Sequence, residues 1–139
     1  MSTSLHPYLN FDGNTAEAMT FYAAALGGSL NIIRMGDSPV PVDEASKDRV
    51  MHATVSTPGI RLMASDTMYG MTVSPGNSVH LSLNFTDPAE QEAVWGRLSE
   101  GATITMPLSQ QFFGRFGMLV DRFGMSWMLH YETPHGAQS

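Results

Sequence analysis

The sequence predicts an α+β fold of two βαβββ modules, each a mixed sheet with one helix on one side, curving around a central cavity. Three observations carry that prediction. "LHPYLNF" (5–11) and "VHLSLNF" (79–85) repeat one apolar-His-x-x-Leu-Asn-Phe pattern, a helix-start signature follows each copy, and "VSTPGIRLM" (55–63) lines up with "VDRFGMSWM" (120–128). A chain of 139 residues has the size of one domain. The expected organisation is a single domain over 1–139, with module one at about 5–66, a linker at 67–78 and module two at about 79–132.

The elements follow in order. Leu5, Pro7, Leu9 and Phe11 alternate with His6, Tyr8 and Asn10, the period of a strand with one face packed on a helix. Asn14 with Glu17 three residues on reads as a capping box, opening a helix over 15–26 that carries Ala18, Phe21, Tyr22, Ala25 and Leu26. Gly27 and Gly28 stop it, and a strand follows at about 29–35. The segment "GDSPVPVDEASKD" (36–48), with two prolines and several charges, is expected to be a mobile flap without regular structure. The 55–63 stretch reads as a hairpin around Gly59. The second copy repeats the order. Val79, Leu81, Leu83 and Phe85 alternate with His80, Ser82 and Asn84; Asp87 and Glu90 cap a helix over about 88–99 with Pro88 at its first position; Gly101 ends it, a strand follows at about 102–106, and a hairpin turns at Gly124. The alignment of the hairpins pairs Val55 with Val120, Gly59 with Gly124 and Met63 with Met128.

The strand period separates two faces. If Leu9, Phe11, Leu83 and Phe85 lie under the helices, then His6, Tyr8, Asn10, His80, Ser82 and Asn84 line the opposite, inward face. In the last strands Leu62, Ala64, Trp127, Leu129 and Tyr131 fall on the helix side, leaving Arg61, Met63, Ser65, Ser126, Met128 and His130 inward. His52, on the strand parity of Val50 and Thr54, and His135, in the polar tail, are read as ordinary. Arg61 and Arg115 could each hold an anion, but an ion pair is the preferred reading of both. The eleven methionines suit irregular core gaps as well as an adaptable pocket, around which Met63, Met68, Met71, Met118, Met125 and Met128 cluster, and Tyr69 and Met71 in the linker are candidates for a second wall.

Composition excludes several classes of function. A net charge of −6 with seven scattered Lys and Arg offers phosphates no counter-charge, so nucleic acid is not an expected partner. No apolar run is long enough to span a bilayer, so neither is a membrane. The absence of cysteine removes disulfides and thiolate chemistry, and no secretory signal is evident at the N-terminus, which together predict a cytoplasmic protein. No Gly-x-Gly-x-x-Gly follows a strand, leaving a Rossmann-type cradle for S-adenosylmethionine unsupported, and no Gly-x-Ser-x-Gly presents a nucleophile.

The stretches "PYLNFDGNTAEAMTFYAAALGG", "DRVMHATV", "LMASD", "PGNSVHLSLNF", "MPLSQQFFGRFGMLVDRFGMSWML" and "HYE" resemble the vicinal oxygen chelate superfamily of glyoxalase I, extradiol dioxygenases and bleomycin-resistance proteins. The resemblance is closest to its PhnB-like branch, some members of which carry a 3-demethylubiquinone methyltransferase label, and it covers most of the chain. It implies the glyoxalase/bleomycin-resistance fold and a homodimer. Metal-dependent members draw ligands from the first and last strand of each module. By position that implies His6 and His80 as candidate metal ligands, with Met63 and Met128 at the last-strand positions, where those members usually have His or Glu. A third ligand would have to come from His130 or Glu132.

Two functions follow from these expectations. One is a small-molecule binding protein, holding its ligand with Tyr8, Arg61, Met63, Ser82, Met128 and His130, without a complete catalytic metal site, because a neutral thioether does not suit a hard divalent ion. The other is a divalent-metal enzyme of glyoxalase, isomerase or dioxygenase type, in which zinc, nickel, manganese or iron held by His6 and His80 polarises substrate oxygens while Glu132 or Tyr8 moves a proton. No cofactor is firmly implied, and methyl transfer finds no mechanism in these residues.

Overall fold

The structure, a computed structural model, describes residues 3–39, 41–67 and 71–132. Tyr69, Met68 and His135 lie outside the described residues. The chain divides into two compact units, residues 1–74 and 75–139. Among the described residues no helix is long and apolar enough to cross a membrane.

The first unit runs β1 (Tyr8–Phe11), α1 (Thr15–Leu26), β2 (Ser29–Arg34), a 3-10 turn (Met35–Asp37), β3 (Val50–Thr57) and β4 (Ile60–Asp66). Its sheet has the order β1-β4-β3-β2, with β1 parallel to β4 and the other pairs antiparallel. The alanine-rich α1 propagates easily and buries Ala18, Met19, Tyr22, Ala25 and Leu26, which recur at the spacing of one helix face. That face packs on β2, β3 and β4, where Ala53, Val55, Leu62 and Ala64 are buried, as are Leu9 and Phe11 on β1. Ala53 lies opposite Ala64, and both are fully buried, as is Tyr22 of the helix. Gly27 ends the helix at φ 72°, a left-handed conformation that glycine adopts without a Cβ penalty.

Helix α1 is not capped as the sequence suggests. The Asn14 side chain makes no cap bond. Its place is taken by Asp66 at the end of β4, whose Oδ1 accepts from the backbone N–H groups of Gly13 (2.9 Å) and Thr15 (3.1 Å). Segment 36–48 is tied at its ends, with Gly36 N–H donating to Lys47 O at 2.8 Å and an Arg34 Nη1–H to Asp48 O at 2.7 Å.

The second unit repeats the plan as β5 (Leu81–Phe85), α2 (Pro88–Leu98), β6 (Thr103–Gln111), β7 (Gly114–Val120) and β8 (Ser126–Glu132), in the sheet order β5-β8-β7-β6. Here the expected cap forms, since Asp87 accepts from Ala89 N–H at 3.0 Å. Helix α2 buries Gln91, Val94 and Leu98. Strand β6 runs past the expected end at 106 because Pro107 sits between two paired residues, Met106 and Ser109, where the register slips. An edge strand tolerates proline at such a bulge.

The registers correct the hairpin alignment. Met63 pairs with Thr54 and Met128 with Met118, so Val55 corresponds in space to Leu119 and not to Val120. The first hairpin closes through Pro58 and Gly59 between Thr57 and Ile60. The second has Asp121 N–H donating to Met125 O at 2.8 Å around Arg122, Phe123 and Gly124, a turn one residue longer. Val55 and Leu119 are both fully buried, as matching helix-side positions should be.

Candidate functional site

The face of each sheet opposite its helix is built from cross-strand rows, because residues directly opposite one another share a face. In the first unit Tyr8, Met63, Thr54 and Asn31 form one row across β1, β4, β3 and β2. Arg61, Ser56 and Ser29 form the neighbouring row. In the second unit the equivalent row is Ser82, Met128, Met118 and Met106, followed by Asn84, His130, Phe116 and Ser109. At matching positions of the central rows the two faces differ, Thr54 and Asn31 of the first unit standing where the second has Met118 and Met106.

His52 is the residue that sequence reasoning undervalued. The Tyr8 hydroxyl lies 3.2 Å from its Nδ1 and the Thr54 hydroxyl 3.2 Å from its Nε2. Each hydroxyl can donate or accept, so both tautomers of the ring are served. Tyr8 reaches this ring across β4, and its own ring stands 5.8 Å from the imidazole. The strand period does place His52 beside Thr54, but only the strand order reveals Tyr8 as the third member. Val50 does not share their face. Ile33 pairs with His52 and Arg34 with Val50, so Met51 is an extra residue that turns Val50 toward the buried side.

Beside this trio, a cavity of about 240 Å³ is lined by Ser29, Leu30, Asn31, Thr54, Ser56 and Arg61. A second, of about 450 Å³, lies among Asn10, Ser65, Asp66, Thr67 and the segment 71–74, so Met71 does line a wall. Arg115 pairs with Glu92 at 3.4 Å, as the ion-pair reading expected. Arg61 makes no ion pair or hydrogen bond among the described residues.

Of the histidines proposed as ligands, His6 belongs to the first unit and His80 and His130 to the second. His6 is exposed and precedes β1 by two residues; His80 immediately precedes β5. His80 Nδ1 and His130 Nε2 are buried atoms without a hydrogen-bond partner among the described residues. The His130 ring stands 5.5 Å from that of Phe113 and 6.2 Å from that of Phe116. Glu132 ends β8 opposite Gly114. Among the described residues no three His, Cys, Asp or Glu side chains gather as a metal ion would need.

Residues 3–130 match the family described as 3-demethylubiquinone-9 3-methyltransferase. Protein PA1353 from Pseudomonas aeruginosa is 39% identical, with a TM-score of 0.86 over 96% of this chain and 100% of its own. A Bacillus cereus PhnB protein, a putative 3-demethylubiquinone-9 3-methyltransferase, is 28% identical with a TM-score of 0.71, covering 93% of this chain and 99% of its own. A glyoxylase/bleomycin resistance protein/dioxygenase domain from Frankia sp. EAN1pec shares the fold at 17% identity, with a TM-score of 0.68 over 96% of this chain and 99% of its own.

Proposed function

The chain belongs to the 3-demethylubiquinone-9 3-methyltransferase family, in its PhnB-like form of the glyoxalase/bleomycin-resistance fold, and from that premise we propose that it binds a small molecule on the helix-free faces of its sheets without a complete catalytic metal site. The observation that carries this reading is the pair of cross-strand rows. Met63 and Met128 occupy corresponding central-strand positions in them, opposite Tyr8 and Ser82. Thioethers there give a ligand a polarizable surface that adapts to its shape, and they offer a hard divalent ion nothing. The strand-to-helix turns, Asp12-Gly13-Asn14 and Thr86-Asp87, are not the glycine-rich cradles of a Rossmann fold, and the proposal is accordingly binding, not methyl transfer. Spectra of the protein carrying ¹³C-methyl methionine test it directly. Small molecules that bind should shift Met63 or the Met106, Met118 and Met128 group; a compound that stabilises the protein yet moves none of these signals would refute the placement.

A second reading rests on the two orphaned imidazole nitrogens, His80 Nδ1 and His130 Nε2. A buried nitrogen without a partner is disfavoured, and a metal ion or a ligand would satisfy it. On that reading His6 and His80, with His130 or Glu132, hold a divalent ion, and the protein is an enzyme of glyoxalase, isomerase or dioxygenase type. Elemental analysis decides between them. Stoichiometric zinc, nickel, manganese or iron, lost in His80→Asn, would favour the enzyme.

The proposed assembly is a cytoplasmic homodimer with no nucleic-acid or membrane partner. Edge strands β2 and β6 leave Leu30, Ile33, Ile104 and Met106 between 36% and 41% exposed, and an open apolar edge is normally covered. Light scattering should return twice the mass of one chain, and a monomer at every concentration would remove the claim.

A further inference from the structure

Resting on the small-molecule reading, we propose that the 240 Å³ cavity of the first sheet is a site for the oxyanion head group of the ligand, a carboxylate or phosphate-type group held by Arg61. Arg34 is bonded to Asp48 O, Arg49 to Asp12 and Thr67, and Arg115 to Glu92, and Arg97 and Arg122 also have partners. Arg61 differs from all five in having none among the described residues. A guanidinium presents five N–H donors in a fixed fork that matches two oxygens of one anion.

The surroundings have the same bias. Ser29, Asn31, Thr54 and Ser56 each bring a hydroxyl or an amide to the cavity, and no carboxylate lines it. In a chain of net charge −6, a lining of one cation and four neutral polar groups leaves this site free of local repulsion toward an anion. Thr54 adds an orientation effect. Its oxygen lies 3.2 Å from His52 Nε2, and His52 Nδ1 lies 3.2 Å from the Tyr8 hydroxyl. When Tyr8 donates to Nδ1 and the imidazole N–H donates to Thr54, the Thr54 hydroxyl proton is left free for another acceptor, and Thr54 is among the residues that line the cavity.

The repeat shows that the fold itself does not require this chemistry. By strand register the second unit puts Ser126 where the first has Arg61, Val120 for Ser56, Met118 for Thr54 and Met106 for Asn31. The same scaffold therefore stands without a charge at that row. Arg61 is exposed on β4, so replacing it leaves the core untouched.

The test compares benzoate with benzamide, which have the same shape and differ in charge, alongside inorganic phosphate, using amide NMR shifts. Benzoate and phosphate should move Asn31, Thr54, Ser56 and Arg61, with benzamide at least about tenfold weaker, the effect of one charge-assisted hydrogen bond. Arg61→Gln should abolish that preference, bringing benzoate down to the level of benzamide, while Arg61→Lys keeps part of it. Equal binding of benzoate and benzamide at these amides, indifferent to Arg61→Gln, would overturn the anion site and leave the small-molecule reading standing. Shifts from the anions confined to other residues would also overturn it. No shift from any of the three probes on this face would count against both.

Discussion

Thr15 donates both its backbone N–H, at 3.1 Å, and its hydroxyl, at 2.7 Å, to one oxygen of Asp66, fifty-one residues further along the chain. The same oxygen accepts from Gly13 N–H at 2.9 Å, and the other oxygen accepts from Val50 N–H at 2.8 Å. A carboxylate that is only 5% exposed thus joins the start of α1, the start of β3 and the end of β4. Asp66→Ala would strand four donors, and the expected loss is about 3 kcal/mol or more of unfolding free energy. Asp66→Asn, keeping one acceptor oxygen, should lose roughly half of that. Urea unfolding monitored by circular dichroism measures both.

The two helix starts should respond differently to the loss of their own cap residues. Asp87→Ala removes the bond to Ala89 N–H and should cost about 1 kcal/mol. Asn14→Ala removes no side-chain cap bond, and its unfolding midpoint should stay close to that of the parent protein. Equal losses at the two sites would contradict this account.

Asp121 holds the second hairpin. Its Oδ1 accepts from Phe123 and Met125 N–H at 2.8 and 3.1 Å, and its Oδ2 accepts from the Trp127 indole N–H at 2.8 Å. Both Asp121 and Trp127 are nearly inaccessible to solvent. Asp121→Ala should therefore destabilise by about 2–4 kcal/mol and shift indole fluorescence to the red, whereas Asp121→Asn should be milder in both respects.

Gly117 allows Trp95 to lie against β7. A Cβ there would come within 2.7 and 2.8 Å of the Trp95 ring and 2.9 Å of the Leu108 backbone. Gly117→Ala is expected to cost about 1–3 kcal/mol. Trp95→Leu made together with it should recover part of the loss, as a non-additive pair. Additive losses would show that the ring is not the obstacle.

How far the sequence reveals this molecule depends on the range of the interaction. Helix α1 over 15–26 follows from alanine content and periodicity, and the Asp87 cap from a residue two positions away. The Asp66 cap could not be read from local spacing, since Asn14 stands in the usual place and its replacement arrives from another strand. Tyr8 and Met63 were legible as inward positions by strand period. The trio around His52 was not, because it needs β1 and β3 to flank β4, which is a fact of topology. Val50 was placed on the wrong face because an extra residue, Met51, breaks the period without any proline or glycine to announce it. The lone state of Arg61 was equally hidden, since an ion pair is a matter of which carboxylate comes near.

The one-residue difference between the two hairpin turns has a practical consequence for anyone building chimeras of this chain. Exchanging 55–63 for 120–128 as the letters align would leave Met63 and Met128 in place but shift the strand before the turn by one residue, turning Thr54 toward the helix in one unit and Leu119 away from it in the other. Exchanging only Pro58-Gly59 for Arg122-Phe123-Gly124, together with the Asp121 and Met125 that flank the longer turn, is the graft that respects both sheets, because the additional residue is absorbed in the reversal and no side chain changes sides.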